Sequence, residues 1–133
     1  MKSIALGINI FGDFHRQKLC IDSLNRIAKK HSNVKLINIQ QVGAKEPIID
    51  PNFETVYDAG DTAGNTVPDS NTRMPMVKGF FDALASVSCD YFIFLNSDII
   101  LTGKIIRLIE ENDFDSISVS HLANTLILIP PRS

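Results

Sequence analysis

Cysteine is scarce in this chain of 133 residues: only Cys20 and Cys89 are present, far apart, with no Cys-x-x-Cys and no histidine at zinc-ligand spacing. A disulfide framework and a zinc module are thereby excluded, and both thiols read as buried side chains. Charge blocks are missing as well. Thirteen Lys and Arg against fifteen Asp and Glu, spread along the chain, give a formal net charge of −2. No basic stripe exists for counterion-releasing contacts with DNA or RNA, so nucleic acid is not an expected partner. No apolar run approaches the ~20 residues that a membrane-crossing helix needs. The apolar amino terminus, Ile4 to Phe11, invites a signal-peptide reading, but Asn9 and Gly12 interrupt it early and fit a strand better. These features together point to a cytoplasmic protein. Gly-x-Ser-x-Gly, Walker A and Gly-x-Gly-x-x-Gly patterns are also lacking, which removes the nucleophile-elbow, P-loop and dinucleotide readings.

What is present is an ordinary globular composition, 44% hydrophobic and 21% charged, in one domain's length of chain. Ser3 to Phe11 reads as a buried strand closed by Gly12-Asp13. Cys20, Leu24, Ile27 and Ala28 recur at helical spacing between about Arg16 and His31, with Lys29 and Lys30 in the last turn, where the helix dipole favours cations. Val34 to Ile39 is a second strand, so the chain opens on a βαβ unit with parallel pairing. Between Gln40 and Pro75 the pattern lapses into turn residues, with Phe53 to Tyr57 as a short third strand. The aperiodic stretch of about 58–74 exceeds the usual connection length and is expected to be mobile. Pro75 suits the first turn of a helix whose apolar face is Val77, Phe80, Phe81, Leu84 and Val87. Tyr91 to Leu95 is continuously apolar, as in the centre of a sheet covered on both faces. A helix from about Gly103 to Asn112 and two strands, Ser116 to Ser120 and Thr125 to Ile129, complete the pattern.

In open α/β sheets ligands bind beyond the carboxyl ends of the strands, which directs attention to Phe11-Gly12-Asp13 and to Asn96-Ser97-Asp98. An acid delivered by a buried strand supplies the oxygen chemistry that suits Mg²⁺ or Mn²⁺, and such a cation can neutralise a diphosphate. The same tripeptide is also ordinary turn chemistry, since all three side chains bond nearby backbone.

The runs Arg73-Met74-Pro75-Met76-Val77-Lys78-Gly79-Phe80-Phe81-Asp82-Ala83-Leu84 and Asp90-Tyr91-Phe92-Ile93-Phe94-Leu95-Asn96-Ser97-Asp98-Ile99 resemble the core of GT-A-type glycosyltransferases and their nucleotide-diphospho-sugar transferase relatives. The resemblance implies a Rossmann-like three-layer α/β fold with a mostly parallel sheet and helices on both faces. It also implies a hexosyltransferase-type reaction, in which a sugar passes from a UDP- or GDP-linked donor to an acceptor hydroxyl. Carried over by position, Asp98 is the metal ligand, and Asn96 stands where the family's Asp-x-Asp motif has its first acid. Asn96 and Ser97 lie against the donor, and Phe11 falls where the base or ribose is touched. Lys78 at the helix entrance and Asp58 after the third strand are further donor-binding candidates, each with surface solvation as the plainer alternative. The resemblance makes residues 1–133 a single donor-binding domain, with the family's acceptor half missing and no catalytic base identified.

Two other readings compete. A catalytically incomplete binding or assembly module would pair the apolar final strand, as a sheet edge, with another copy. A flavodoxin-like receiver domain would use Asp98 as phosphoacceptor, although Asp13 alone is a poor match to its acid pair.

Overall fold

The computed structural model describes residues 2–10, 14–42, 48–58, 77–96, 99–112, 117–121 and 124–129. Six strands form one sheet: β1 (Ile4–Ile8), β2 (Val34–Gln41), β3 (Glu54–Asp58), β4 (Tyr91–Leu95), β5 (Ile117–His121) and β6 (Asn124–Ile129). Three helices, α1 (Phe14–Lys30), α2 (Val77–Ala85) and α3 (Lys104–Glu111), complete the described elements. The order across the sheet is β3-β2-β1-β4-β6-β5. The first four strands in that order are parallel, whereas β6 is antiparallel to both β4 and β5.

Alternation along the buried strands sends side chains into two separate cores. On one face Ile4, Leu6, Ile8 and Ile10 of the first strand and its exit join Leu36, Ile93 and Leu95. The inward residues of α1 (Cys20, Ile21, Leu24, Ile27) and of α3 (Ile106, Ile109) cover them. On the other face Ala5, Ile37, Ile39, Phe92 and Phe94 pack with Ala83 of α2 and with Val87 just beyond it. Helices on both sides of a parallel sheet explain why β1 and β4 are apolar at every position rather than at every second one. The fold class expected from the sequence is therefore observed.

Several details differ from the sequence reading. The inward face of α2 includes Ala83, and Phe81 is half-buried, meeting Phe94 edge to face at a centroid distance of 6.2 Å. Asp58, placed by the sequence at the start of a long loop, is the last residue of β3, and the rest of that loop lies outside the described residues. Cys20 is buried, but Cys89 is only half so, and burial pushes its thiol pKa up. The final strand is not an edge. β6 is paired with β4 on one side and β5 on the other, and among the described strands the edges are β3 and β5. The reason for proposing assembly through Thr125 to Ile129 thus disappears. The receiver reading fails on topology too, since a flavodoxin-like sheet runs 2-1-3-4-5 and lacks this antiparallel pair.

The amino edge of the sheet is tied down. Asp90 Oδ2 accepts the Ser3 N–H at 2.9 Å, while Lys2 Nζ donates to the carbonyl of Ile109 at 2.7 Å. With that end fixed by side chains, the opposite, carboxyl ends of β1 to β4 are left to carry polar groups.

Candidate functional site at the carboxyl edge

Each of the four parallel strands delivers one polar residue to this edge, and within β2 and β3 it falls on the α2 side. Strand alternation sets the face: Ala5, Ile37 and Ile39, Val56, and Phe94 all belong to the α2-side core. Continuing by twos along each strand gives Asn9 after β1, Gln41 ending β2, Asp58 ending β3 and Asn96 after β4. Gln41 and Asp58 are register partners. Asn9, Gln41 and Asp58 are buried, whereas Asn96 is exposed.

The exit of β1 is held by side chains where the sheet ladder runs out. On the α1 side, Asn38 Oδ1 accepts the Ile10 N–H at 3.3 Å, and Gln40 Nε2 donates to the Ile10 carbonyl at 2.7 Å. Gln40 Nε2 also donates to Asn38 Oδ1, so the two amides brace each other. Asn9 Nδ2 donates to the Ile39 carbonyl at 2.6 Å, and Gln17 of α1 reaches the Asn9 carbonyl at 3.2 Å. These bonds fix the backbone that leads into Phe11. Each would leave a buried polar group unpaired if lost, at a cost of about 1–3 kcal/mol.

Asp58 has a different environment. Asp58 is 7% exposed, and its carboxyl packs against the first turn of α2 at Gly79: a β-carbon there would stand 2.8 Å from Asp58 Cγ and 3.2 Å from Oδ1, so the carboxyl would have to move. Among the described residues, Asp58 Oδ2 and Asn9 Oδ1 are buried acceptors with no hydrogen-bond partner. Buried polar atoms are nearly always satisfied, so two such oxygens along one edge mark it as a place where donors are wanted.

After β4 the Ile99 N–H donates to the Asn96 carbonyl at 3.2 Å. Ser97 and Asp98 themselves, and Phe11, lie outside the described residues. Lys78 lies in the first turn of α2, but its side chain is outside the described set. Of the sequence-derived candidates, the structure thus brings Asp58 and Asn96 to one edge. It adds Asn9 and Gln41, which sequence reasoning passed over as parts of strands. The available signal was a polar residue closing an otherwise apolar strand at its carboxyl end.

Among the described residues no cluster of three His, Cys, Asp or Glu side chains could hold a metal unaided, and no helix is long and apolar enough to cross a membrane.

No protein-family model matches this sequence, and no curated protein matches it significantly. Among solved structures, the apo form of the glycosyltransferase GlyE of Streptococcus pneumoniae TIGR4 is similar, with a TM-score of 0.51 and 16% sequence identity. The match covers 96% of this chain and 34% of GlyE, so the chain spans about a third of that protein's length. At this identity the likeness is one of fold, and the fold of this chain is glycosyltransferase-like.

Proposed function

We propose that this domain binds a nucleotide-diphospho-sugar at the carboxyl edge of β1 to β4, with a divalent cation held by Asp98, and that the reaction served is sugar transfer to an acceptor hydroxyl. The observation that carries the reading is the row of polar residues along that edge, two of them with buried oxygens that have no partner among the described residues, in a glycosyltransferase-like fold. When bound, Mn²⁺ or Mg²⁺ would neutralise diphosphate charge that a chain of net charge −2 does not attract by itself. One protein carboxylate suffices for such an ion, because diphosphate oxygens and water complete its shell.

The protein's own residues do the rest. Phe11, set by the braced Asn9-Ile10 backbone, lies against the base or ribose. Asp58 accepts a hydrogen bond from the nucleoside, which supplies the donor its Oδ2 lacks. Because that oxygen is shielded by its surroundings, this contact requires the first turn of α2 to shift. Asn96 and Ser97 hydrogen-bond the ribose or cation-bound water, and Lys78 reaches phosphate from the start of α2.

Calorimetric titration with UDP and with GDP, in Mn²⁺ and again in excess chelator, tests the proposal. Saturable binding of one nucleotide that depends on the metal is the expected result. Absence of binding to either nucleotide in Mn²⁺ would overturn it, and equal affinity in chelator would remove the metal.

A further inference from the structure

A second recess lies on the opposite side of the sheet from α2, where α1 meets the segment leading into α3. Its volume is about 240 Å³, and Ser23, Arg26, Ile27, Lys30 and His31 form one wall, facing Ile100 to Gly103. Ser23, Arg26, Ile27 and Lys30 follow one another at helical spacing and so share a stripe of α1. The opposing wall is fixed by Ser23, whose hydroxyl accepts the Leu101 N–H at 3.1 Å and donates to the Cys20 carbonyl at 2.7 Å. Gly103 leaves the floor open. A β-carbon there would stand 3.6 Å from His31 Nε2.

The charge in this groove is of one sign. Three basic side chains converge on it, and no carboxylate lines it. Among the described residues neither Arg26 nor Lys30 has an ion pair or hydrogen bond through its side chain; the nearby pair, Lys18 with Asp22, involves neither. The α1 dipole accounts for Lys29 and Lys30 in the last turn but not for Arg26, a turn earlier. In a chain whose acids outnumber its bases, an acid-free recess with two cationic groups and a histidine beside them is an anion site by charge. Ile27 and Leu101 beside it, with Ile100 at the rim 55% exposed, add an apolar wall.

We propose that this groove binds an organic phosphate, with the phosphoryl group between Arg26, Lys30 and His31 and an apolar moiety against Ile100 and Leu101. Guanidinium and ammonium groups give phosphate its strongest hydrogen bonds, and the volume exceeds what a bare phosphate fills. The site is independent of the nucleotide reading, because α1 begins at the carboxyl edge and these residues lie in its second half, toward the amino edge.

The test is a titration of ¹⁵N-labelled protein with phenyl phosphate and with inorganic phosphate, following Arg26 Nε–H and the amides of Gly103 and Lys104. Saturable shifts, tighter for phenyl phosphate, and affinity about tenfold weaker or more in the R26A/K30A double variant are expected. Both residues are exposed, so the variant retains the fold. Sedimentation with phosphatidylglycerol vesicles, against phosphatidylcholine alone, then separates the two sources of the phosphate. Binding lost in R26A/K30A assigns a lipid headgroup, whereas no vesicle binding beside saturable phenyl phosphate shifts assigns a soluble ligand. Shifts that chloride reproduces at equal ionic strength, or that survive in R26A/K30A, would overturn the proposal.

Discussion

Asp98→Ala is expected to weaken Mn²⁺-dependent nucleotide binding by about 100-fold or more, because loss of even an outer-shell partner of a metal site costs about 10–100-fold. The effect should be confined to the metal-dependent component. In chelator, wild type and variant should bind alike, since Phe11, Asp58 and Asn96 are untouched. Asp98→Asn, which keeps an oxygen but not the charge, should fall between the two. Stability should change little, as turn residues after a buried strand contribute through local bonds. Unchanged affinity in Asp98→Ala, measured by calorimetry in Mn²⁺, would remove Asp98 as the ligand while leaving the fold and the edge as they are. Asn96→Ala provides the comparison, with a smaller loss, because its side chain supplies no charge.

The second large effect concerns the seat of α2. In an exposed helix interior, Gly→Ala stabilises by about 0.8–1.0 kcal/mol. At position 79 the sign should reverse. The new β-carbon would stand 2.8 Å from Asp58 Cγ, and that carboxyl sits at the end of a paired strand with 7% exposure, so it cannot simply swing away. Overpacking of this kind costs about 1–3 kcal/mol, so once the propensity gain is subtracted Gly79→Ala should be net destabilising by up to about 2 kcal/mol. Asp58→Ala removes the obstructing atoms. In that background Gly79→Ala should become stabilising, and the double-mutant cycle should show the two positions strongly coupled. Urea midpoints of the four proteins measure this directly. A stabilising Gly79→Ala in the wild-type background would mean that the first turn of α2 is not held on β3, and the account of Asp58 as a shielded acceptor would go with it.

This pair also marks the limit of what the sequence could disclose. The βαβ opening, the buried strand Tyr91 to Leu95 and the helices around them were legible because periodicity reports burial, and burial on both faces leaves an unbroken apolar run. Asn96-Ser97-Asp98 was legible because a rigid strand ends immediately before it. The packing of Asp58 against Gly79 was not, since the two lie on separate elements with an aperiodic segment between them, and sequence patterns carry no information on such distances. Asn9 escaped notice for another reason. Its side chain does ladder work, donating to the Ile39 carbonyl, so it reads as part of a strand although its Oδ1 is left over. The final strand misled in the opposite direction. Side-chain pattern reports which faces are covered and not which strands lie alongside, so the apolar run there could not disclose that β6 is paired with both β4 and β5.

Where a nucleotide binds, rather than whether one does, bears most directly on the central claim. Amide shifts of ¹⁵N-labelled protein, followed on addition of UDP or GDP with Mg²⁺, give that location. The account predicts saturable shifts at Asn9, Ile10, Asp58, Gly79, Asn96 and Ile99, with the amino-edge residues Lys2, Ser3 and Asp90 unmoved. Shifts clustered away from the carboxyl ends of β1 to β4, with Asn9, Asp58 and Asn96 silent at saturation, would contradict it.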